Sequence, residues 1–172
     1  MKTNKSTLYI FSGLPASGKT TLAEKLAEFI GAVFLRIDTL EQGLREICSI
    51  KNIEADGYRL SYRIAEDNLK LGNNVIADSC NPICLTRTEW EEVANSSCAN
   101  FENIEVICSD KNIHRHRVEN RKSTIKNLNL PKWQDIESRE YHSWNTLRHV
   151  IDTANKSIDE AFSELIKKLN LN

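Results

Sequence analysis

Eight consecutive residues, Gly13-Leu14-Pro15-Ala16-Ser17-Gly18-Lys19-Thr20, have the residue types and spacing of a phosphate-binding loop, or P-loop. Its glycines let backbone N–H groups turn towards an anion, Lys19 can reach the terminal phosphates of a nucleotide, and the Thr20 hydroxyl can bind Mg²⁺. A helix after such a loop adds the positive end of its dipole. The motif predicts a nucleotide site bound by Gly13, Pro15, Ala16, Ser17, Gly18, Lys19, Thr20 and Thr21.

The flanking residues support this interpretation of the loop. Residues 7–12 form a short run of β-branched and aromatic residues, which is typical of a buried parallel strand. After the loop, apolar residues recur at helical spacing until Gly31. The loop is therefore predicted to join a strand to a helix, which is the context that phosphate binding requires.

The rest of the chain repeats the strand and helix pattern about five times. This alternation, with right-handed crossovers, predicts a three-layer α/β domain of the P-loop type, with a parallel sheet of about five strands and helices on both faces. One domain spans residues 1–172. Further strands are predicted at 32–37, 74–77, 104–108 and 148–151, and further helices at 40–47, 58–71, 82–95, 133–144 and 157–169.

Three aspartates follow predicted strands, where ligands bind in sheets of this kind. Asp78 follows an apolar strand and is a candidate to hold Mg²⁺, directly or through its water. Asp38 is the candidate that orients an acceptor hydroxyl and takes its proton. The alternative for each is a helix cap or turn residue, and for Asp110 we favour that alternative.

A basic stretch, residues 114–122, follows the fourth predicted strand. Arg117 and Arg121 are four residues apart, so on a helix they share a face and can together clamp a phosphate. A polar loop comes next, and residues from about 112 to 131 suit a mobile lid that closes over ATP. The alternative is an ordinary solvated helix face with Glu119 and Asp110 as ion-pair partners.

Composition narrows the classes of function. Lys and Arg total 23 against 24 Asp and Glu, a net charge of −1, which gives no field for generic binding to nucleic acids or anionic membranes. No apolar run approaches a membrane span, and residues 1–6 lack the apolar region of a signal peptide. Five cysteines without a Cys-x-x-Cys pair argue against a zinc ribbon or a disulfide scaffold. We expect a cytoplasmic protein with reduced thiols.

Several stretches together resemble the small P-loop kinases described as AAA domain ATP-binding kinases. They are Gly-Leu-Pro-Ala-Ser-Gly-Lys-Thr-Thr-Leu-Ala at 13–23, Leu-Arg-Ile-Asp-Thr at 35–39, Ala-Asp-Ser-Cys-Asn-Pro at 77–82 with Thr86-Arg87, His-Arg-His-Arg-Val-Glu-Asn-Arg at 114–121, and Val-Ile-Asp-Thr at 150–153. That group is similar to 5′-hydroxyl polynucleotide kinases, gluconate and shikimate kinases, adenylylsulfate kinases and zeta-toxin-like phosphotransferases.

The resemblance implies an ATP-dependent kinase that uses Mg²⁺. It implies that Lys19 and Thr20 bind the phosphates and the metal, that Asp38 is the acceptor-side base, and that Arg117 and Arg121 are catalytic lid arginines. It also implies that Arg87 faces the acceptor or its phosphate and that residues 148–153 border the adenine. No gluconate- or shikimate-specific signature is present, so the acceptor stays unassigned.

Three functional hypotheses follow. In the first, the protein moves the γ-phosphoryl group of ATP to a hydroxyl of a small molecule or nucleotide. In the second, the acceptor is the 5′ end of a nucleic acid, which the neutral chain disfavours mildly. In the third, the protein is a nucleotide-binding regulatory switch that transfers no phosphate.

Overall fold

A computed structural model describes residues 5–50 and 52–171. The expectation that no signal peptide precedes the first strand falls largely on residues 1–4, which lie outside the described residues. The described strands are β1 (Thr7–Ser12), β2 (Val33–Arg36), β3 (Val75–Asp78), β4 (Asn100–Ile107) and β5 (His149–Asp152). The helices are α1 (Lys19–Ile30), α2 (Ile37–Ile47), α3 (Asp56–Lys70), α4 (Cys84–Ser96), α5 (Lys111–Asn120), α6 (Trp133–Glu137) and α7 (Ile158–Lys168).

The five strands form one parallel sheet in the order β2-β3-β1-β4-β5. The predicted fold class is thus confirmed, and β1 is the central strand. Strand β4 continues for two residues past Glu105, the partner of Ser12, whereas β3 ends at Asp78 opposite Phe11, so the loop after Ser12 lies between β4 and the segment that follows β3. The order of the strands therefore brings the P-loop, Asp78 and the start of α5 to one edge of the sheet.

Alternate residues of β1 enter two separate cores. Leu8 and Ile10 point to the face that α3 and α4 cover, where Trp90 is fully buried. Tyr9 and Phe11 point to the opposite face, which α1 and α7 cover. Because both faces are buried, the strand reads as a continuous apolar run in the sequence.

Three predicted boundaries differ from the structure. The helix predicted over 133–144 is wrong beyond Glu137, since α6 ends there and residues 138–148 are irregular. Helix α4 begins at Cys84 and not at Pro82, with Asn81 held at a left-handed φ of 43°. Helix α2 begins at Ile37, so Asp38 lies in its first turn, directly beyond β2.

No helix within residues 5–50 or 52–171 is long and apolar enough to cross a membrane. All five cysteines are free thiols.

Candidate active site

The P-loop leaves β1 through a glycine that no other residue could replace without a shift. Gly13 has a φ of 141°, and a Cβ placed on it would lie 2.2 Å from the carbonyl oxygen of Val106 on β4. Its N–H donates to the carbonyl of Cys80, which follows β3 (3.1 Å). The start of the loop is therefore tied to both neighbouring strands.

The second half of the loop turns into α1 through two left-handed residues. Ala16 has a φ of 65° and Gly18, the N-cap of α1, has a φ of 98°. This conformation costs a non-glycine residue about 1–2 kcal/mol, so Ala16 stores strain in the loop. The buried Ser17 hydroxyl has no hydrogen-bond partner. Together with the N-terminal amides of α1, these residues have the form of an anion site.

Lys19 is buried in α1 and faces two charged groups from neighbouring strands. Its Nζ lies 3.7 Å from Oδ1 of Asp78, whose Oδ2 lies 3.9 Å from Nε of Arg36. Burial opposes the charge of Lys19, but the carboxylates of Asp78 and Asp38 outweigh it and raise the pKa of the lysine. Lys19 is therefore cationic at neutral pH and stands ready for phosphate oxygens.

Thr153, directly after β5, connects the P-loop to α5. Its hydroxyl donates to the carbonyl of Ser17 (2.7 Å) and accepts a bond from Nη1 of Arg117 (2.7 Å). Nη2 of Arg117 donates to the Thr153 carbonyl (2.9 Å). His114, one turn earlier on α5, donates from Nε2 to the carbonyl of Pro15 (2.8 Å). Helix α5 is thus fixed to the loop at two points.

Arg121 does not continue the helical face of Arg117 as the spacing predicted. Helix α5 ends at Asn120, and Arg121 is its C-cap in an extended conformation, although its N–H still bonds the carbonyl of Arg117 (3.0 Å). Its Nε and Nη2 are buried and have no hydrogen-bond partner. Burial lowers the pKa of Arg121, while Asp38 acts in the opposite direction. Arg121 therefore lines the same cleft as Arg117 but lies beyond the helix, with two buried nitrogens unbonded and the charge of Asp38 acting on it.

A cleft of ≈ 1020 Å³ joins these groups. We call one side of the cleft the loop wall. It consists of the cleft-lining residues of the P-loop and α1 (15–24), of Arg117, and of the lining residues within 153–161. The arginine wall consists of its lining residues from 36–45 and 121–139. Of the predicted site residues, the cleft brings together Pro15, Ala16, Gly18, Lys19, Thr20, Thr21, Asp38, Arg117 and Arg121, whereas Gly13, Ser17 and Asp78 lie behind this surface.

The structure does not bring Arg87 into the cleft. Its buried guanidinium donates to the carbonyls of Asn81 (2.9 Å) and His142 (3.0 Å) and stacks 4.0 Å from the ring centroid of Trp144. The N–H of His142 donates to the carbonyl of Pro82 (2.7 Å) and not to the carbonyl four residues earlier, so this segment does not continue the helix predicted over 133–144. Arg87 holds α4 and the irregular segment together.

Asp110 has the alternative role favoured from the sequence. Its carboxylate accepts bonds from the N–H groups of Asn112 (2.9 Å) and Ile113 (3.0 Å) and caps α5. By this bond Asp110 fixes the start of the helix that carries His114 and Arg117.

Sequence reasoning missed several residues of the arginine wall. Arg36 lies at the end of β2, two residues before Asp38. Its place beside a predicted site residue at the end of a strand could have indicated that it lines the site. Its Nη1 donates to the Thr124 hydroxyl (2.9 Å), which ties residues 121–132 to β2. Arg139 and Glu41 also line the cleft. Arg139 follows the last turn of α6, and no local motif marks it.

A P-loop between the central strand and α1, with an acid at the end of β3 and an arginine-bearing helix after β4, defines the fold of P-loop kinases. The family model described as AAA domain matches residues 8–139, and the chain belongs to that family. No curated protein sequence matches it.

Solved structures of low sequence identity share this fold. A gluconokinase from Sinorhizobium meliloti 1021 is 14% identical, with 97% of this chain and 93% of that chain covered and a TM-score of 0.69. The Mycobacterium tuberculosis APS kinase CysC, in complex with AMPPNP and APS, is 20% identical (97% and 99% covered, TM-score 0.69). Chaetomium thermophilum Kti12, in complex with ADP-AlF3, is 19% identical (95% and 97% covered, TM-score 0.69).

Proposed function

We propose that this protein is an ATP-dependent kinase that moves the γ-phosphoryl group of ATP to a hydroxyl of a small molecule or nucleotide. One observation carries the proposal. The buried ammonium of Lys19 lines the loop wall of the cleft, and the exposed carboxylate of Asp38 lines the arginine wall together with Arg121, whose buried nitrogens have no hydrogen-bond partner. A P-loop that only held a nucleotide would need no carboxylate facing it.

In the proposed reaction, the acceptor hydroxyl lies against Asp38. Its oxygen forms a bond to the γ-phosphorus while the bond from that phosphorus to the bridging oxygen of ADP breaks, and ADP keeps the electron pair. The hydroxyl proton passes to Asp38 and then to solvent. Lys19 and Arg121 stabilise the negative charge on the transferring group, and their fixed positions avoid reorganisation during the step.

The proposed Mg²⁺ fits two side chains beside the loop. Oδ1 of Asp78 is buried without a hydrogen-bond partner, and Thr20 follows Lys19 at the start of α1. Buried acceptors without a partner are rare, so Oδ1 is suited to a cation or its water. When bound, Mg²⁺ would neutralise phosphate charge. Within the described residues no group of three or more His, Cys, Asp or Glu side chains could hold a metal, so most ligands would come from phosphate and water.

Two features support ATP as the nucleotide. Arg117 is held against Thr153 on the loop wall, beyond the P-loop, where a base could stack on its guanidinium. Among proteins of the same fold, the APS kinase and Kti12 are described with AMPPNP and with ADP-AlF3, respectively. We therefore place the base beside Arg117 and the transferring phosphate beside Arg121.

The test is ADP formation by the wild type and Asp38→Asn, each with Mg-ATP. Both proteins receive a panel of sugars, sugar acids, nucleosides, aminoglycosides and a 5′-hydroxyl oligonucleotide. Turnover that depends on the panel and falls about 10²- to 10⁴-fold in the variant supports a kinase. Turnover confined to the oligonucleotide, with a steep salt dependence of its binding, would assign the polynucleotide kinase instead.

The same experiment can reject the proposal. Slow ATP hydrolysis that is equal in the two proteins, and is unchanged by every acceptor, would favour the nucleotide switch. A control variant, Asp67→Asn, removes an exposed carboxylate from α3 outside the cleft and should behave as the wild type.

A further inference from the structure

The arginine wall has an excess of positive charge. It presents five cationic side chains to the cleft and three carboxylates. The cations are Arg36, Arg45, Arg121, Lys122 and Arg139, and the carboxylates are Asp38, Glu41 and Asp135. A cavity lined in this way attracts anions, because cleft walls concentrate the field of the charges they carry.

Two of the three carboxylates already have partners. Glu41 binds Nη2 of Arg45 (3.4 Å), and Asp135 accepts the N–H of Lys132 (2.8 Å) in the cap of α6. Only the third, Asp38, is left to face the remaining cations. In the part of the chain that the structure describes, neither Arg121 nor Arg139 has a carboxylate within ion-pair distance.

Arg121 and Arg139 also act against each other. Burial is the main cause of the lowered pKa of Arg121, and the charges of Arg139 and Arg36 add to it. Two buried guanidinium nitrogens of Arg121 have no partner. Leaving charged donors buried and unpaired is costly, so this arrangement is one that a bound anion would relieve.

The γ-phosphate of ATP can neutralise only part of the positive charge on the arginine wall. That phosphate lies with the P-loop, where Lys19 and the amides of α1 can bind it. The charge of Arg139 acts on Glu41, which lies one turn after Asp38 on α2 and is on the acceptor side of the cleft. A guanidinium on that side is suited to a second anion that belongs to the acceptor.

We infer that the acceptor alcohol carries an oxyanion, a phosphate or a carboxylate, which binds Arg139 and the nitrogens of Arg121 that the transferring phosphate leaves free, while the hydroxyl faces Asp38. This inference rests on the proposed kinase function and adds the chemical class of the acceptor. Planar guanidinium groups bind both oxyanions in a bidentate manner, which fixes the direction of the hydroxyl.

The test measures binding of a second anion after the nucleotide is in place. The protein is saturated with Mg²⁺ and a non-hydrolysable ATP analogue, so that the γ-phosphate position is filled. It is then titrated with inorganic phosphate and, separately, with acetate, by calorimetry. We expect saturable binding of at least one anion to the wild type, and a loss of about 10-fold or more in Arg139→Gln. The anion that binds more tightly identifies the source as phosphate or carboxylate.

The matched control is Arg59→Gln, which removes an exposed arginine on α3 that does not line the cleft. Absence of a second anion site in the wild type, or equal weakening by Arg59→Gln and Arg139→Gln, would overturn the inference. Failure of the ATP analogue itself to bind would instead reject the proposed function.

A second arm uses matched acceptors, gluconate with glucose and adenosine 3′-phosphate with adenosine. The anionic member of a pair should be preferred, and Arg139→Gln should raise its KM while the KM for ATP is unchanged. Preferred turnover of the neutral members would contradict the inference and leave the kinase proposal standing.

Discussion

The two walls of the cleft differ in how their polar groups are satisfied. On the loop wall, backbone groups are bonded within the protein: the Pro15 carbonyl accepts from His114 and the Ser17 carbonyl from Thr153. On the arginine wall, nitrogens of Arg36 and Arg121 are buried and unpartnered. The two loop carbonyls are therefore bonded within the protein, although the Ser17 hydroxyl behind them has no partner, whereas the arginine wall presents unbonded charged donors to a ligand.

The largest effect should come from the loop wall. Lys19→Ala removes the buried cation that we place on the phosphates, and we expect phosphoryl transfer to fall by about 10²- to 10³-fold or more. The variant also leaves Asp78 buried without its nearest cation, so thermal unfolding should be followed in parallel. A folded Lys19→Ala protein with wild-type turnover would remove the P-loop lysine from the mechanism.

The two lid arginines sharpen the comparison, because one lies on each wall. Arg121→Gln should lower kcat about 10²-fold with little change in the KM for ATP, since we assign it to the transferring phosphate. Arg117→Gln should mainly raise the KM for ATP, by about 10-fold, because its guanidinium is fixed to Thr153 on the loop wall.

Arg115→Gln is the control for this pair, since it removes an exposed cation of α5 that does not line the cleft. Steady-state measurements of kcat and of the KM for ATP in the three variants test these assignments. Identical effects of Arg117→Gln and Arg121→Gln on kcat and KM would erase the division between the walls.

Arg87 lies on neither wall, and its substitution should affect stability alone. Arg87→Lys loses the bonds to the Asn81 and His142 carbonyls and the stacking on Trp144, which we expect to cost about 2–4 kcal/mol in the free energy of unfolding. Urea unfolding measures that loss, and Arg63→Lys, at an exposed arginine on α3, is the control. A lowered kcat at unchanged stability would instead give Arg87 a role at the acceptor.

The smallest effect concerns Glu41 on the arginine wall. Burial raises its pKa above the usual 4.5, although Arg45 opposes the shift. The folded state then holds the proton more tightly than the unfolded state, so the free energy of unfolding falls as pH rises from about 4.5 through the raised pKa. Glu41→Gln has no carboxyl group to titrate at this position. Its free energy of unfolding, measured by urea unfolding and compared with that of the wild type, should therefore increase as pH rises through this range. A difference between the proteins that does not vary with pH would contradict the assigned shift.

The loop wall could be predicted from the sequence because its signals are local. Gly13 to Thr20 are consecutive, and the strand and helix around them have clear periodicity. The sheet followed from the same alternation. Residues 138–148 could not be predicted, because the residue pattern indicated a helix while bonds to residues distant in sequence hold the segment: the N–H of His142 donates to the Pro82 carbonyl, and its carbonyl accepts from Arg87.

The residues of the arginine wall are harder to predict from the sequence, and the reason is physical. Its side chains come from β2, α2, the end of α5 and the residue after α6, and only the fold brings them together. Asp38 was found because it follows a strand, but Arg139 follows no motif. The spacing of Arg117 and Arg121 indicated one helical face, but α5 ends at Asn120 and Arg121 is its C-cap in an extended conformation.

The most direct test of the division between nucleotide binding and acceptor activation is a pair of measurements on Asp38→Asn. ATP affinity is measured by calorimetry, and transfer of the γ-phosphoryl label from ATP to an acceptor is measured in a single turnover. The account predicts ATP affinity within about two-fold of wild type and transfer slowed by about 10²-fold or more. Equal loss of ATP affinity and transfer, or labelled inorganic phosphate released equally by both proteins with no labelled acceptor, would contradict it.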